Sequence, residues 1–309
     1  MYNWVIFLLL VQTLMAQAQE RFEFGHPKMG TQFKLVIYTT SSNKAQYIAN
    51  QCINRINQLN TILSDYEETS EISQLSATAG SGKKIKVSSE LWTILKKSNF
   101  YAKKSDGAFD ISIGPLSKLW RSMFRRSEVF NGVKINNAKA KVGFHKIKFH
   151  PFSRRVRLTQ KGMRLDAGGI AKGFTVDEVV KIIRQNDVTQ FLVDGGGDIY
   201  VGHPPPDQLG WQIKLFIENS QGEKQEKIVQ LKNTAIASSG DTYRFLEWEG
   251  KRYSHIIDPR TGYGVIDKKI VTVQASSCMK ADAIASTLSV LNKSETARFI
   301  KKMEKIKVF

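Results

Sequence analysis

The sequence is poor in the residues that usually announce a site. Its 309 residues include two cysteines, Cys52 and Cys278, and five histidines. That excludes a CxxC metal centre and a disulfide-dense scaffold. The two thiols can join only if the fold brings them together, and two unpaired small hydrophobes is the simpler reading. No GxGxxG turn, Walker loop or GxSxG elbow occurs, which argues against the common dinucleotide, P-loop and serine-hydrolase designs. Acidic residues are the minority, 28 against 46 basic ones. No repeat or low-complexity linker is present. Only the N-terminus is apolar enough to meet a bilayer, so a multi-span membrane protein is excluded. The 41% hydrophobic and 24% charged content excludes wholesale disorder.

The net charge of +18 fits nucleic acid, an anionic membrane surface or an acidic partner. The basic residues read as scattered doublets such as Lys83–Lys84 and Lys103–Lys104, without a zinc-finger spacing, so nucleic acid is disfavoured. Residues 1–18, MYNWVIFLLLVQTLMAQA, carry no charged side chain, and Ala16-Gln17-Ala18 fits the small-x-small cleavage rule. A signal peptide over 1–18 and a mature chain over 19–309 are expected, which makes the protein exported and periplasmic. The alternative is a retained anchor, because the n-region lacks Lys and Arg. No Cys lies near the cut for lipoprotein acylation. A basic exported chain also suits peripheral association with an anionic inner membrane.

Thr31–Thr39 reads as a strand, and Ser42–Leu63 carries a helical apolar stripe. Ser88 caps a helix running to about Ala102, and Pro115–Arg121 reads as a short helix. Residues 122–145 look irregular. Lys146–His150 and Arg154–Leu158 suggest a hairpin. A helix is expected over Ile170–Gln185. Strands are expected at Gln190–Asp194, Asp198–Gly202, Trp211–Ile217, Lys227–Leu231, Thr234–Ala237, Arg252–Ile257 and Lys269–Ala275. Helices close the chain at Ala281–Leu291 and Ser294–Lys302, and Ile306–Phe309 is a strand beginning, either short or truncated. Strands adjoin strands and helices come in blocks. The fold class is therefore α+β, with mixed or antiparallel sheets and packed helices in one domain that leaves room for two lobes.

Five clusters can carry chemistry. In the first, Gly107-Ala108-Phe109-Asp110, small residues admit a ligand, Phe109 is a flat apolar surface and Asp110 an acceptor. A helix–strand link with a core Phe is the plain alternative. The second is Leu165-Asp166-Ala167-Gly168-Gly169-Ile170-Ala171-Lys172-Gly173. Glycines entering a helix leave N–H groups for an anion, Lys172 offers a cation and Asp166 an acceptor; a simple glycine turn is the alternative. Third, Val193–Ile199 holds three glycines with Asp194 and Asp198, which read as turn formers before metal ligands. Fourth, Ser238–Asp241 is followed by Tyr253–Gly262, where His255 sits beside Asp-Pro-Arg-Thr-Gly and suits acid–base or phosphate work. Fifth, Asp282 and Ser286 share one helical face and are hard oxygen donors suited to Mg²⁺, or else a helix-start Asp and a surface Ser.

These clusters, in this order, resemble the ApbE-type FAD:protein FMN transferases, once called thiamine-biosynthesis lipoproteins. The matching stretches are Met29-Gly30-Thr31, Ser64-Asp65-Tyr66 with Ser70-Glu71-Ile72, GAFDISIGPLSKLW, LDAGGIAKGFTVD, VDGGGDIYVG, IASSGD, YSHIIDPRTGYG and ADAIAST. The resemblance implies a single T-fold-like catalytic domain. It implies Mg²⁺-dependent transfer of FMN from FAD to a Thr or Ser hydroxyl of an acceptor flavoprotein, releasing AMP. Mn²⁺ is the alternative metal. Carried over by motif, Met29, Tyr66, Ala108, Phe109, Asp110, Asp166, Lys172 and the backbone near Ile257 contact FAD. Gly169 (through its carbonyl), Asp282 and Ser286 hold the metal. Asp282 and His255 are the catalytic candidates, His255 for proton handling or phosphate orientation. Ser286 stands where the family often has Thr, and Ala285 where some members carry another carboxylate. Implied acceptors are FMN-binding domains or subunits of sodium-pumping NADH:quinone reductase or Rnf-type complexes. The competing readings are an FAD pyrophosphatase and a non-catalytic flavin-binding protein.

Overall fold

The computed structural model describes residues 19–126, 131–218, 224–240, 245–248, 250–267 and 269–309. The expected leader over 1–18 and Asp241 of the fourth cluster lie outside them. In chain order the elements are β1 (Glu20–Lys28), β2 (Thr31–Thr39), α1 (Ser42–Leu63), α2 (Glu71–Ala77), β3 (Ile85–Lys86) and α3 (Ser89–Lys104). Then come α4 (Gly114–Arg126), α5 (Gly132–Lys139), β4 (Ile147–His150), β5 (Arg155–Leu158), α6 (Ala171–Gln185), β6 (Phe191–Gly195), β7 (Asp198–Val201) and β8 (Trp211–Glu218). The chain finishes with β9 (Lys224–Leu231), β10 (Thr234–Gly240), β11 (Phe245–Trp248), β12 (Lys251–Ser254), β13 (Ile270–Ala275), α7 (Cys278–Val290), α8 (Lys293–Lys301) and β14 (Ile306–Val308).

Seven strands form one sheet in the order β1-β2-β6-β7-β10-β13-β14. Every pairing in it is antiparallel, one of the two forms, mixed or antiparallel, that the α+β reading allows. Alternation along β2 sends Phe33, Leu35 and Ile37 to one face. There they meet Ile48, Cys52 and Ile56 of α1 and Val176, Val179 and Ile183 of α6. The apolar stripe read along α1 is the face it buries, and Ser41 caps that helix by accepting from the Lys44 N–H at 3.3 Å. The opposite sheet face, with Val36, Val201 and Ile236, is covered by the β8–β9 hairpin through Trp211, Ile213 and Leu215. A larger apolar cluster joins the end of α1, α2, α3, the β3-β5-β4 sheet and the start of α6 to α7. Cys52 and Cys278 are both buried free thiols, and burial pushes the Cys52 thiol up to about 12. Both act as packing residues.

Several elements depart from the sequence expectation. β1 has no readable strand pattern because ERFEFGHPK is mostly polar, with Gly25 and Pro27; it is an edge strand held by β2 alone. α2 and α5 are short. α5 lies in the stretch read as irregular and is fixed by its Asn131 cap and two buried side chains, Ile135 and Ala138. β11 pairs with β12, which stops at Ser254 rather than Ile257 because Ile257 turns to bridge Gly264. The β1–β2 turn, Met29-Gly30, has both residues at positive φ, +52° and +73°. That is the backbone of a two-residue type I′ hairpin, with Met in a place that favours Asn or Gly.

α6 crosses α7 at Gly173. A Cβ built there would lie 2.5 Å from the Cys278 carbonyl oxygen and 2.8 Å from the Asp282 Cβ. Both contacts are too short for any side chain, so Gly173→Ala must push the helices apart. We expect a loss of about 1–3 kcal/mol in denaturant unfolding. An unchanged midpoint would contradict this packing.

Candidate functional site

The site forms where the start of α6 faces α7. Six helices carry side-chain caps from Ser41, Ser70, Ser88, Asn131, Ser277 and Asn292, whereas α6 opens on Ile170 with no side-chain cap. Its first turn is answered instead from outside the helix, by the Ala167 carbonyl, which accepts from the Ala171 N–H at 2.9 Å, and by the Asp282 carboxylate, whose negative charge suits the positive end of the helix dipole. Asp282 is 4% exposed, and its Oδ2 accepts from the Gly173 N–H at 3.1 Å. Ser286, one turn further along α7, sits against Gly169. A Cβ on Gly169 would lie 3.1 Å from the Ser286 Oγ and 3.3 Å from the Phe109 ring. Gly169, Ser286, Asp282 and Phe109 are therefore neighbours, although more than a hundred residues separate the first two.

Lys172 reaches from α6 to Asp198 at the start of β7, with Nζ–Oδ2 at 2.5 Å. Asp198 is 2% exposed. Burial, then the nearby Asp282 carboxylate, raises its carboxyl, and the Lys172 ammonium opposes them. Lys172 is held above the ordinary lysine range: burial works against its charge, but Asp282 and Asp198 outweigh burial. Of the two aspartates read as turn formers, only Asp194 behaves so, accepting from the Gly197 N–H at 2.8 Å. Asp198 is instead the counter-ion of Lys172.

A second charge network adjoins this one. The Asp166 Oδ1 accepts from the Gly168 N–H at 2.8 Å, and its Oδ2 accepts from Arg121 at 2.8 Å. Arg121 also donates to Asp65 at 2.5 Å and lies 4.2 Å from the centre of the Tyr66 ring. Tyr66 is 74% exposed. It therefore presents an aromatic face to solvent with a cation behind it. Arg164 donates to the Asp65 carbonyl. Burial and the neighbouring Asp166 raise the Asp65 carboxyl despite Arg121.

Met29 reaches α6, its Sδ accepting from the Thr175 hydroxyl at 3.5 Å. Ala108 and Phe109 are buried, Phe109 edge-on to Tyr101 at 6.0 Å. The Asp110 carboxylate holds two segments together, one oxygen taking the Ser112 N–H and hydroxyl at 2.8 and 2.7 Å and the other the Phe144 N–H at 2.7 Å. Ile257 is buried with α4 residues Leu116 and Trp120, and Trp120 donates to the Gly262 carbonyl at 3.0 Å. His255 is exposed just after β12. Sequence reasoning gave no role to Arg121, Asp65 or Arg164, since nothing in their local pattern marks them as partners.

The donor set around Gly169 suits a hard cation. Asp282 offers a carboxylate, Ser286 a hydroxyl and Gly169 a carbonyl, and the Asp282 carboxylate is already turned toward the opening of α6 by the Gly173 N–H. Among the described residues no three His, Cys, Asp or Glu side chains gather into a metal-binding group. An ion there would need water and substrate oxygens to complete its shell. A cleft of about 550 Å³ opens elsewhere, beside Tyr38, Leu209 and Trp211, and no motif residue lines it.

A family model described as the ApbE family matches residues 29–309. The chain is 32% identical over 250 residues to an FAD:protein FMN transferase of Treponema pallidum, covering 76% of this chain and 69% of that protein. It is 27% identical over 297 residues to the FAD:protein FMN transferase of Vibrio cholerae, covering 94% and 88%. In three dimensions it resembles the flavin transferase ApbE from Vibrio cholerae with a TM-score of 0.82 at 24% identity, over 94% of this chain and 97% of that one. The apo flavinyl transferase ApbE of Pseudomonas stutzeri gives 0.81 at 25% identity, over 92% and 89%.

Arg121 is the shared cation of two carboxylates, so Arg121→Gln leaves Asp65 and Asp166 to repel each other. We expect a loss of about 2 kcal/mol near pH 7. The loss should shrink toward pH 5. A carboxyl whose folded pKa lies above its unfolded one binds protons more tightly in the fold, so acid stabilises the variant. A loss that does not change with pH would contradict the assignment.

Proposed function

The chain belongs to the ApbE family, and from that membership and the site we propose that it is an FAD:protein FMN transferase. In this reading it moves FMN from FAD to a threonine or serine hydroxyl of an acceptor flavoprotein and releases AMP. The observation that supports it best is the convergence of Gly169, Lys172, Asp282 and Ser286 at the start of α6, with the exposed Tyr66 ring nearby. A dinucleotide needs those two features: a place for a diphosphate and a surface for a flat ring.

The reaction exchanges the phosphoanhydride bond of FAD for a phosphoester to the acceptor. The acceptor hydroxyl oxygen attacks the FMN phosphorus, the bond to the bridging oxygen breaks, and AMP leaves with that oxygen and its electron pair. Lys172 and the positive end of α6 bear on the diphosphate oxygens, where charge grows. Tyr66, Phe109 and Met29 bear on the flavin, and Asp166, Asp110 and the backbone at Ile257 on its polar groups. Gly169, Asp282 and Ser286 would hold Mg²⁺, or Mn²⁺, which when bound supplies further neutralisation of phosphate charge. The acceptor proton must go to a base, and His255 is our candidate. Residues 1–18 as a signal peptide would place the reaction in the periplasm. Acceptors there would be FMN-binding domains or respiratory subunits of the sodium-pumping or Rnf kind. No helix among the described residues is long and apolar enough to cross a membrane.

The test is incubation with FAD, Mg²⁺ and an FMN-binding domain, read by intact-protein mass. We expect the acceptor to gain one FMN residue. Asp282→Ala should lower the rate at least about 100-fold, and His255→Ala by about 10²–10⁴-fold. Free FMN and AMP without an acceptor gain would instead identify a pyrophosphatase, and intact FAD a binding protein.

A further inference from the structure

The basic residues look scattered along the sequence, but the fold gathers them. No Asp or Glu occurs from residue 129 to 165, while that stretch holds Lys134, Lys139, Lys141, Lys146, Lys148, Arg154, Arg155, Arg157, Lys161 and Arg164. Its centre is the β3-β5-β4 sheet. Val156, Leu158 and Ile147 pack inward from this sheet into the large core cluster. The alternate positions form the opposite face. In register, Lys86 and His150 flank Arg155, and Lys148 lies opposite Arg157.

This face is costly as it stands. Lys86 opposite Arg155 and Lys148 opposite Arg157 are like-charge cross-strand pairs, which destabilise a sheet unless an anion lies over them. Among the described residues no carboxylate pairs with any of these four cations. The His150 Nε2 and Arg157 Nε are buried atoms without a hydrogen-bond partner. At the end of the same hairpin, the Pro151–Ser153 turn holds Phe152, which is 106% exposed, followed by Arg154 at φ +47°. A cleft of about 270 Å³ lies there, between Lys86, Phe152, Ser153, Arg154 and Arg155.

We propose that this sheet is a docking surface for an anionic lipid bilayer: Lys86, Lys148, Arg155 and Arg157 meet lipid phosphates, and Phe152 enters the headgroup–acyl boundary. An acidic protein surface would answer the charges but not a wholly exposed phenyl ring at the hairpin tip. A bilayer answers both, since it pairs an anionic surface with an apolar layer beneath. The inference stands apart from the transferase reading. It concerns where the protein rests, and the chain runs from the end of β5 to Asp166 of the site within eight residues.

The test compares partition of the full chain into vesicles of phosphatidylglycerol with phosphatidylcholine and of phosphatidylcholine alone. Residues 1–18 are common to every variant, so the preference for the anionic vesicle is the readout. Replacing Lys86, Lys148, Arg155 and Arg157 by Gln should reduce that preference about tenfold or more. Phe152→Ser should weaken anionic binding while leaving its salt dependence. The same number of changes elsewhere, Lys44→Gln, Lys232→Gln, Lys251→Gln and Lys293→Gln, should leave the preference nearly intact. An equal drop in both sets would reduce the effect to net charge and overturn the proposal. Hydrogen exchange of the unsubstituted chain gives a second reading that no misfolded variant can confuse. Anionic vesicles should protect amides 147–158. No protection, or protection by single-stranded DNA or an acidic peptide but not by vesicles, would overturn the bilayer assignment. Flavin transfer to an acceptor in solution should be unchanged by Phe152→Ser, so failure of either reading is seen separately.

Discussion

The contact between α6 and α7 at Gly173 is the constraint on which the site depends. With no side chain at Gly173, the first turn of α6 lies directly against α7, and its N–H reaches Asp282. Asp177, one turn on, fixes the register from the other side. Its carboxylate takes the Cys278 and Met279 N–H groups at 2.7 and 2.9 Å, closing the start of α7. Once those bonds are made, helical geometry leaves no freedom in where Asp282 and Ser286 point. Both face the glycine turn that opens α6. The apolar cores on either side of the crossing supply the stability that this polar seam costs, because burying Asp198, Asp282 and Lys172 together is favourable only while they remain paired.

The second network has a different origin. Asp65 follows α1, Arg121 lies on α4, and Asp166 precedes α6, so Arg121 ties three distant segments into one wall. The same guanidinium sits behind Tyr66. An exposed tyrosine ring backed by a cation is held in one orientation without being buried, which a ring-stacking surface requires. Asp166 connects the two networks: one of its oxygens serves Arg121 and the other the glycine turn beside Ser286.

Much of the architecture was legible because its periodicities are strong. The stripe on α1, the serine cap of α3 and the alternation of β2 each follow from local chemistry, and the antiparallel sheet follows from strands that adjoin strands. β1, α2 and α5 were not legible. Their positions are set by a neighbouring strand, a cap or two buried side chains rather than by a sustained pattern. The motif residues were legible as short clusters, and their order carried the family resemblance. What the sequence did not show was pairing. Arg121 looks like any basic residue on a polar helix, and Asp198 like any aspartate after glycines. The charges of the β3-β5-β4 sheet come together only through strand register.

We place the substrate phosphate and the metal of the proposed reaction at the α6–α7 seam. The most direct measurement is a crystal structure of the chain with FAD and Mn²⁺, using anomalous scattering to locate the ion. We expect an anomalous peak bounded by Gly169, Asp282 and Ser286, with the diphosphate over the start of α6 and the isoalloxazine near Tyr66. A peak elsewhere, or flavin density away from this seam, would contradict it.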